Sequence, residues 1–66
     1  MQVTINGEPR AFAASLKIDE LLAELQLGGK RVAVEVNGSI IPRSRHALTA
    51  LRDGDQILIV QAIGGG

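Results

Sequence analysis

The chain reads as an α+β domain: a mixed sheet of four to five strands with one helix packed across one face. Three observations lead there. Apolar residues recur at period two near the start, in the middle and at the end of the chain. They recur at helical spacing in one stretch between. Two Asn-Gly pairs, Asn6-Gly7 and Asn37-Gly38, each join strand-like runs in the manner of a tight hairpin. A lone helix covers one face of a sheet and leaves the other open. No segment repeats another, and 66 residues suffice for one small domain, which buries only about 60% of its unfolded surface and so needs every apolar position it has.

Taken in order, residues 1–5 alternate apolar and polar, with Val3 and Ile5 inward. Asn6-Gly7 follows, because both central positions of a type I′ turn have positive φ. Residues 9–13 are expected to return as the second strand, with Pro9 tolerated at its first position or on an edge. Phe12, the only aromatic residue, belongs to the core. From Ile18 the period changes: Ile18, Leu21, Leu22 and Leu25 share one helical face. Asp19 and Glu20 suit the positive end of that helix. Ser15 lies early for an N-cap and Lys17 is a poor one, while Gly28-Gly29 is expected to stop the helix.

Residues 31–37 alternate again, placing Val32, Val34 and Val36 on one face and Ala33 and Glu35 on the other. Asn37-Gly38 then leads to a short strand at Ile40-Ile41, ended by Pro42. Residues 44–51 carry Ala47, Leu48 and Leu51 at helical spacing and read as an irregular or 3₁₀ turn. Asp53-Gly54-Asp55 is a tight turn, and turn chemistry accounts for its two acids better than paired-carboxylate catalysis does.

Composition excludes several chemistries. With 45% hydrophobic and 21% charged residues the chain folds. It has no cysteine, hence no disulfide framework, Cys-based zinc site or thiol nucleophile. One histidine supports neither a metal cluster nor a Ser-His-acid set. Gly28-Gly29 lacks the flanking strand and the Lys-Ser/Thr of a phosphate loop. Zero net charge without Tyr or Trp argues against a nucleic-acid-binding module. The lack of a signal-like segment or a long apolar run suggests a soluble cytoplasmic protein. Arg43 and Arg45 beside His46 form a candidate anion patch, with partner docking favoured over catalysis there.

The last strand, residues 57–61, departs from the polar-out pattern. If Ile57 and Ile59 face the helix, Leu58 and Val60 face solvent, as a docking patch would. Gln61 then points inward and lies either past the core edge or at a bulge. The strand runs into Ala62-Ile63-Gly64-Gly65-Gly66. Without a Cβ, glycine passes through a slot too narrow for a side chain, and three extended residues reach about 10 Å. The expected division is therefore a domain at 1–63 and a glycine tail at 64–66. Gly64 and Gly65 would enter a partner's active site and Gly66 would carry the reacting carboxylate. Ile63 joins Leu58, Val60 and Arg43 as an expected docking residue. A carboxylate is ionised at neutral pH and a poor electrophile, so it needs activation before a nucleophile can attack it.

The strand-helix order, the stretch Ile40-Ile41-Pro42-Arg43-Ser44-Arg45-His46, the Asp53-Gly54-Asp55 turn and the ending Ala62-Ile63-Gly64-Gly65-Gly66 together resemble ThiS, the sulfur carrier family of thiamine biosynthesis, over the full length. A diglycine ending alone is shared with ubiquitin and with the molybdopterin-synthase small subunit. The short length and the Ile-Pro-Arg segment together with Ala-Ile-Gly-Gly-Gly point more specifically to the thiamine branch. The resemblance implies a ubiquitin-like β-grasp fold and a protein co-substrate rather than an enzyme, with no cofactor of its own. It further implies a ThiF-like adenylating enzyme that uses ATP and magnesium to convert the Gly66 carboxylate into an acyl-adenylate. A sulfur derived from a persulfide donor replaces AMP, and the resulting thiocarboxylate supplies thiazole synthase. Most relatives end in two glycines where this chain has three, and the reacting position is the last in either case. The rival readings are a molybdopterin-synthase small subunit and a ubiquitin-like modifier joined to target lysines.

Overall fold

A computed structural model of the chain describes residues 1–61. Asn6 and Gly7 take φ of 51° and 83°, the left-handed pair that matches a two-residue turn to strand twist. They join β1 (Gln2–Ile5) to β2 (Glu8–Ala11), with Ile5 opposite Glu8 and Gln2 opposite Ala11. The return strand therefore covers Glu8–Ala11 rather than 9–13, because a two-residue turn starts pairing at the next residue. β2 is a sheet edge, where Pro9 is tolerated without an N–H to donate. Phe12 bonds back to Met1 through its N–H at 2.8 Å and packs, partly buried, against the core.

Helix α1 (Ile18–Glu24) buries Ile18, Leu21 and Leu22. Its N-cap position is Lys17, whose side chain makes no capping bond; Ser15 takes no part. The Glu20 carboxylate instead accepts the Lys17 N–H at 2.8 Å, satisfying one end-group and placing negative charge at the helix start. The same end is stitched to the later chain, since the Ile18 N–H donates to the Thr49 carbonyl and the Leu51 N–H to the Leu16 carbonyl. At the other end the helix stops before Gly28-Gly29. Gln26 adopts φ 61°, its N–H meets the Ala23 carbonyl at 3.0 Å, and the Leu27 N–H meets the Leu22 carbonyl at 2.7 Å. These two bonds are the Schellman pattern. It forms this early because it turns Leu27 back onto the core, where it packs.

Strands β3 (Val32–Val36) and β4 (Ser39–Ile41) form the second hairpin around Asn37 and Gly38, at φ 53° and 86°. A 3₁₀ turn (Arg43–Leu48) follows, and β5 (Gln56–Gln61) completes a five-stranded sheet in the order β2-β1-β5-β3-β4. β5 is central, parallel to β1 and antiparallel to β3. Val3, Ile5, Val34, Ile57 and Ile59 face α1 and close the core with Leu51. The 3₁₀ turn differs from expectation in what it buries. His46 is 6% exposed whereas Leu48 is 70% exposed. The His46 Nε2 donates to the Ile41 carbonyl at 3.0 Å, which ties the turn to the end of β4 and satisfies a buried polar ring.

Candidate functional site

The run from β5 toward the C-terminal glycines is set by its pairing with β3. Val32 to Val36 oppose Gln61 to Ile57 one for one, so the strand contains no bulge. Strict alternation then puts Ile57 and Ile59 inward and leaves Leu58 44% and Val60 55% exposed. Gln61 keeps the inward parity of Ile59 but is itself exposed; it borders a cleft with Leu25 and Leu27, past the edge of the core.

On the open face, cross-strand pairing extends this row. Leu58 lies opposite Glu35, and Glu35 opposite Ile40, which is 72% exposed. Val60 lies opposite Ala33, and the two share a shallow hollow with Arg31. Leu58, Val60, Ala33 and Ile40 thus place apolar side chains on the open face of three strands around the charged Glu35, a candidate docking surface beside the last described residue. Ile40 and Ala33 were not singled out from sequence. The signal for Ile40 was present, because a two-residue Asn-Gly turn makes Val36 and Ser39 partners and so pairs Ile40 with the outward Glu35.

Two asparagines hold β5 in place. Beyond Ile5, β1 has no further residue pairing with β5, yet the ladder continues by one rung. The Asn6 Oδ1 accepts the Ile59 N–H at 2.8 Å, and its Nδ2 donates to the Ile59 carbonyl at 3.2 Å. The side-chain amide thus does the work of a backbone peptide group. At the strand's start the Gln56 N–H donates to Asn37 Oδ1 and Asn37 Nδ2 donates to Asp55 Oδ1, both at 3.0 Å.

The acids of the Asp53-Gly54-Asp55 turn are similarly engaged. Asp53 Oδ1 accepts the Gln2 N–H at 2.6 Å and Asp55 Oδ2 accepts the Arg52 N–H at 2.9 Å. Turn chemistry accounts for both. The candidate anion patch is not brought together: Arg43 and Arg45 are exposed, but His46 turns into the interior. Arg43 follows the edge strand β4, with β3 between that strand and β5, so it stands apart from Leu58 and Val60. Ile63, Gly64, Gly65 and Gly66 lie outside the described residues. Among the described residues no three His, Asp or Glu side chains gather as a metal site requires, and no helix is long and apolar enough to cross a membrane.

The ThiS family model matches residues 3–66. The chain is 38% identical over 66 residues to the sulfur carrier protein ThiS of Escherichia coli, covering 100% of both. It is 48% identical to a thiazole synthase of Paramagnetospirillum magneticum and spans 20% of that longer protein. A thiazole synthase of Magnetococcus marinus is 36% identical over the whole chain, which again spans 20% of it. The crystal structure of the thiamine biosynthesis protein ThiS from Geobacter metallireducens superimposes with a TM-score of 0.85 at 35% identity, covering 100% of both chains. The five-stranded mixed sheet with helix α1 against it is accordingly the ubiquitin-like β-grasp fold. Full-length agreement in sequence and in fold places this chain in the ThiS family, the sulfur carrier proteins of thiamine biosynthesis.

Proposed function

We propose that the chain carries sulfur on the carboxylate of Gly66 and is a substrate of its partner enzymes rather than a catalyst, working in the cytoplasm. The observation that carries this reading is the apolar band formed by Leu58 and Val60 on the strand that leads to residues 62–66. An alignment that covers 100% of both this chain and the Escherichia coli sulfur carrier supports treating Gly66 as the reacting position.

The chemistry follows from the weakness of a carboxylate as an electrophile. A ThiF-like adenylating enzyme brings ATP and magnesium, and a carboxylate oxygen attacks the α-phosphorus with loss of pyrophosphate. The mixed anhydride so formed has AMP as a leaving group; the terminal sulfur of a persulfide displaces it to give an acyl disulfide. A thiol then cleaves the S–S bond, releasing the thiocarboxylate and leaving a disulfide on the sulfur donor. Gly64 and Gly65 present bare backbone to the walls of the partner's site. Ordering those residues costs about 1–2 kcal/mol each, and docking through Leu58 and Val60, with Ile63 and Arg43 as further contacts, offsets that cost.

Thiazole synthase is the proposed acceptor of the sulfur. The two relatives of that name each contain a region like this chain as a fifth of their length, which supports close association between the two activities. The test is incubation with ATP, magnesium, an adenylating enzyme and a sulfur source, followed by intact mass and then by transfer to thiazole synthase. Exchange of one oxygen for sulfur is expected, and only when Gly66 is present. High-mass conjugates would point instead to a modifier, and unchanged mass with an adenylating enzyme active on its own carrier would overturn the reading.

A further inference from the structure

The two Asn-Gly turns form a matched pair. Asn6-Gly7 and Asn37-Gly38 have nearly the same backbone, with φ of 51° and 83° in one and 53° and 86° in the other. A Cβ built on either glycine meets nothing within 4 Å, so both turn crowns are open. What differs is the hold on the asparagine side chain. The Asn6 amide bonds to both backbone groups of Ile59, and these bonds are partly buried. The Asn37 amide bonds to Asp55 and to the Gln56 N–H, and these bonds are exposed.

We propose that the Asn37-Gly38 turn is a site of spontaneous deamidation in the folded protein, whereas Asn6-Gly7 is protected because its amide is bonded to buried Ile59 of the central strand. The Gly38 backbone nitrogen attacks the Asn37 Cγ; the new N–C bond forms as the Cγ–Nδ2 bond breaks, and ammonia leaves. Water then opens the cyclic imide at either carbonyl, giving aspartate or isoaspartate, so the balance is amide plus water to carboxylate plus ammonia. Cyclisation requires the amide to leave its hydrogen bonds and swing toward its own backbone. Both asparagines are exposed, but release of Asn6 leaves the backbone groups of buried Ile59 unpaired, whereas the Asp55 and Gln56 groups that Asn37 leaves are open to water, so Asn37 is released more often.

The product is poorly matched to its neighbour. Asn37 Nδ2 donates to Asp55 Oδ1 at 3.0 Å; a carboxylate in its place has no proton to donate and sets two like charges together. Asp55 also accepts the Arg52 N–H, so the change reaches the turn that starts β5. Aged protein should therefore hold its central strand less firmly while its C-terminal residues stay chemically intact.

The full chain is aged in mildly alkaline buffer and mapped by peptide mass spectrometry, with isoaspartate quantified by an isoaspartyl methyltransferase and labelled S-adenosylmethionine. A parallel sample is aged in denaturing urea. In the folded sample conversion at Asn37 is expected to run about five-fold or more ahead of Asn6, the ratio that one weakened hydrogen bond supports, and in urea the two rates should converge. Asn37→Asp should lower the Tm by about 4–8 °C. Equal or faster conversion of Asn6 in the folded protein would overturn the proposal, as would a gap that persists in urea. An unchanged Tm for Asn37→Asp would overturn the opposition to Asp55.

Discussion

Replacing Asn6 tests whether a side chain completes the central sheet. Asn6→Gly keeps a residue at ease with φ 51° but removes the amide that bonds to Ile59 at 2.8 and 3.2 Å. Two hydrogen bonds contribute about 1 kcal/mol each, and partial desolvation of the Ile59 groups left unpaired adds roughly 1 more. Against a domain total of roughly 3–10 kcal/mol at this length, a loss of about 2–3 kcal/mol is a large share. Thermal unfolding should show it as a fall in Tm of about 10–20 °C. Asn6→Ala should fall further, by the roughly 1 kcal/mol of left-handed strain that a Cβ brings. The difference between the two variants separates lost bonds from backbone strain. A glycine variant that melts with the wild type would show that the amide is no rung, and the account of how β5 is held would fail.

Other substitutions probe separate links. Leu58→Asp lies on the open face, 44% exposed; it should leave the domain folded, with a modest fall in Tm because the new carboxylate stands opposite Glu35, while weakening affinity for the adenylating enzyme by about ten-fold or more, measured by titration calorimetry. Deleting Gly66 should abolish sulfur loading in the intact-mass assay and leave melting as it was. Gln26→Gly relieves a non-glycine residue at φ 61° and should raise stability by about 0.5 kcal/mol in urea unfolding, the relief of strain exceeding the added chain entropy. His46→Ala removes the Nε2 bond to the Ile41 carbonyl and opens a gap under the 3₁₀ turn, so a loss of about 2–4 kcal/mol is expected in the same assay.

Much of this was legible in residue order because it rests on local chemistry. Alternating Val and Ile, the Ile18-Leu21-Leu22 face and the two Asn-Gly turns each act within a few residues, and each produced the element expected of it. The outward placement of Leu58 and Val60 followed from parity once Ile57 and Ile59 were taken as core. The helix end was misplaced by the same kind of reasoning. A glycine pair is the usual stop, but Leu27 gains more by folding back on the core than Gln26 loses in a left-handed conformation.

Residue types and spacing alone therefore determined the strands, the helix, their order and the apolar row on the last strand, since each depends on a period or a turn propensity that neighbours impose. Only the tertiary structure decided what crosses long distances in the chain. It made β5 the centre of the sheet, gave Asn6 a partner at Ile59, drew His46 inward and set Ile40 in line with Leu58. The reason is that a side chain's burial and hydrogen-bond partner are supplied by segments tens of residues away, and their arrival depends on how the whole core closes.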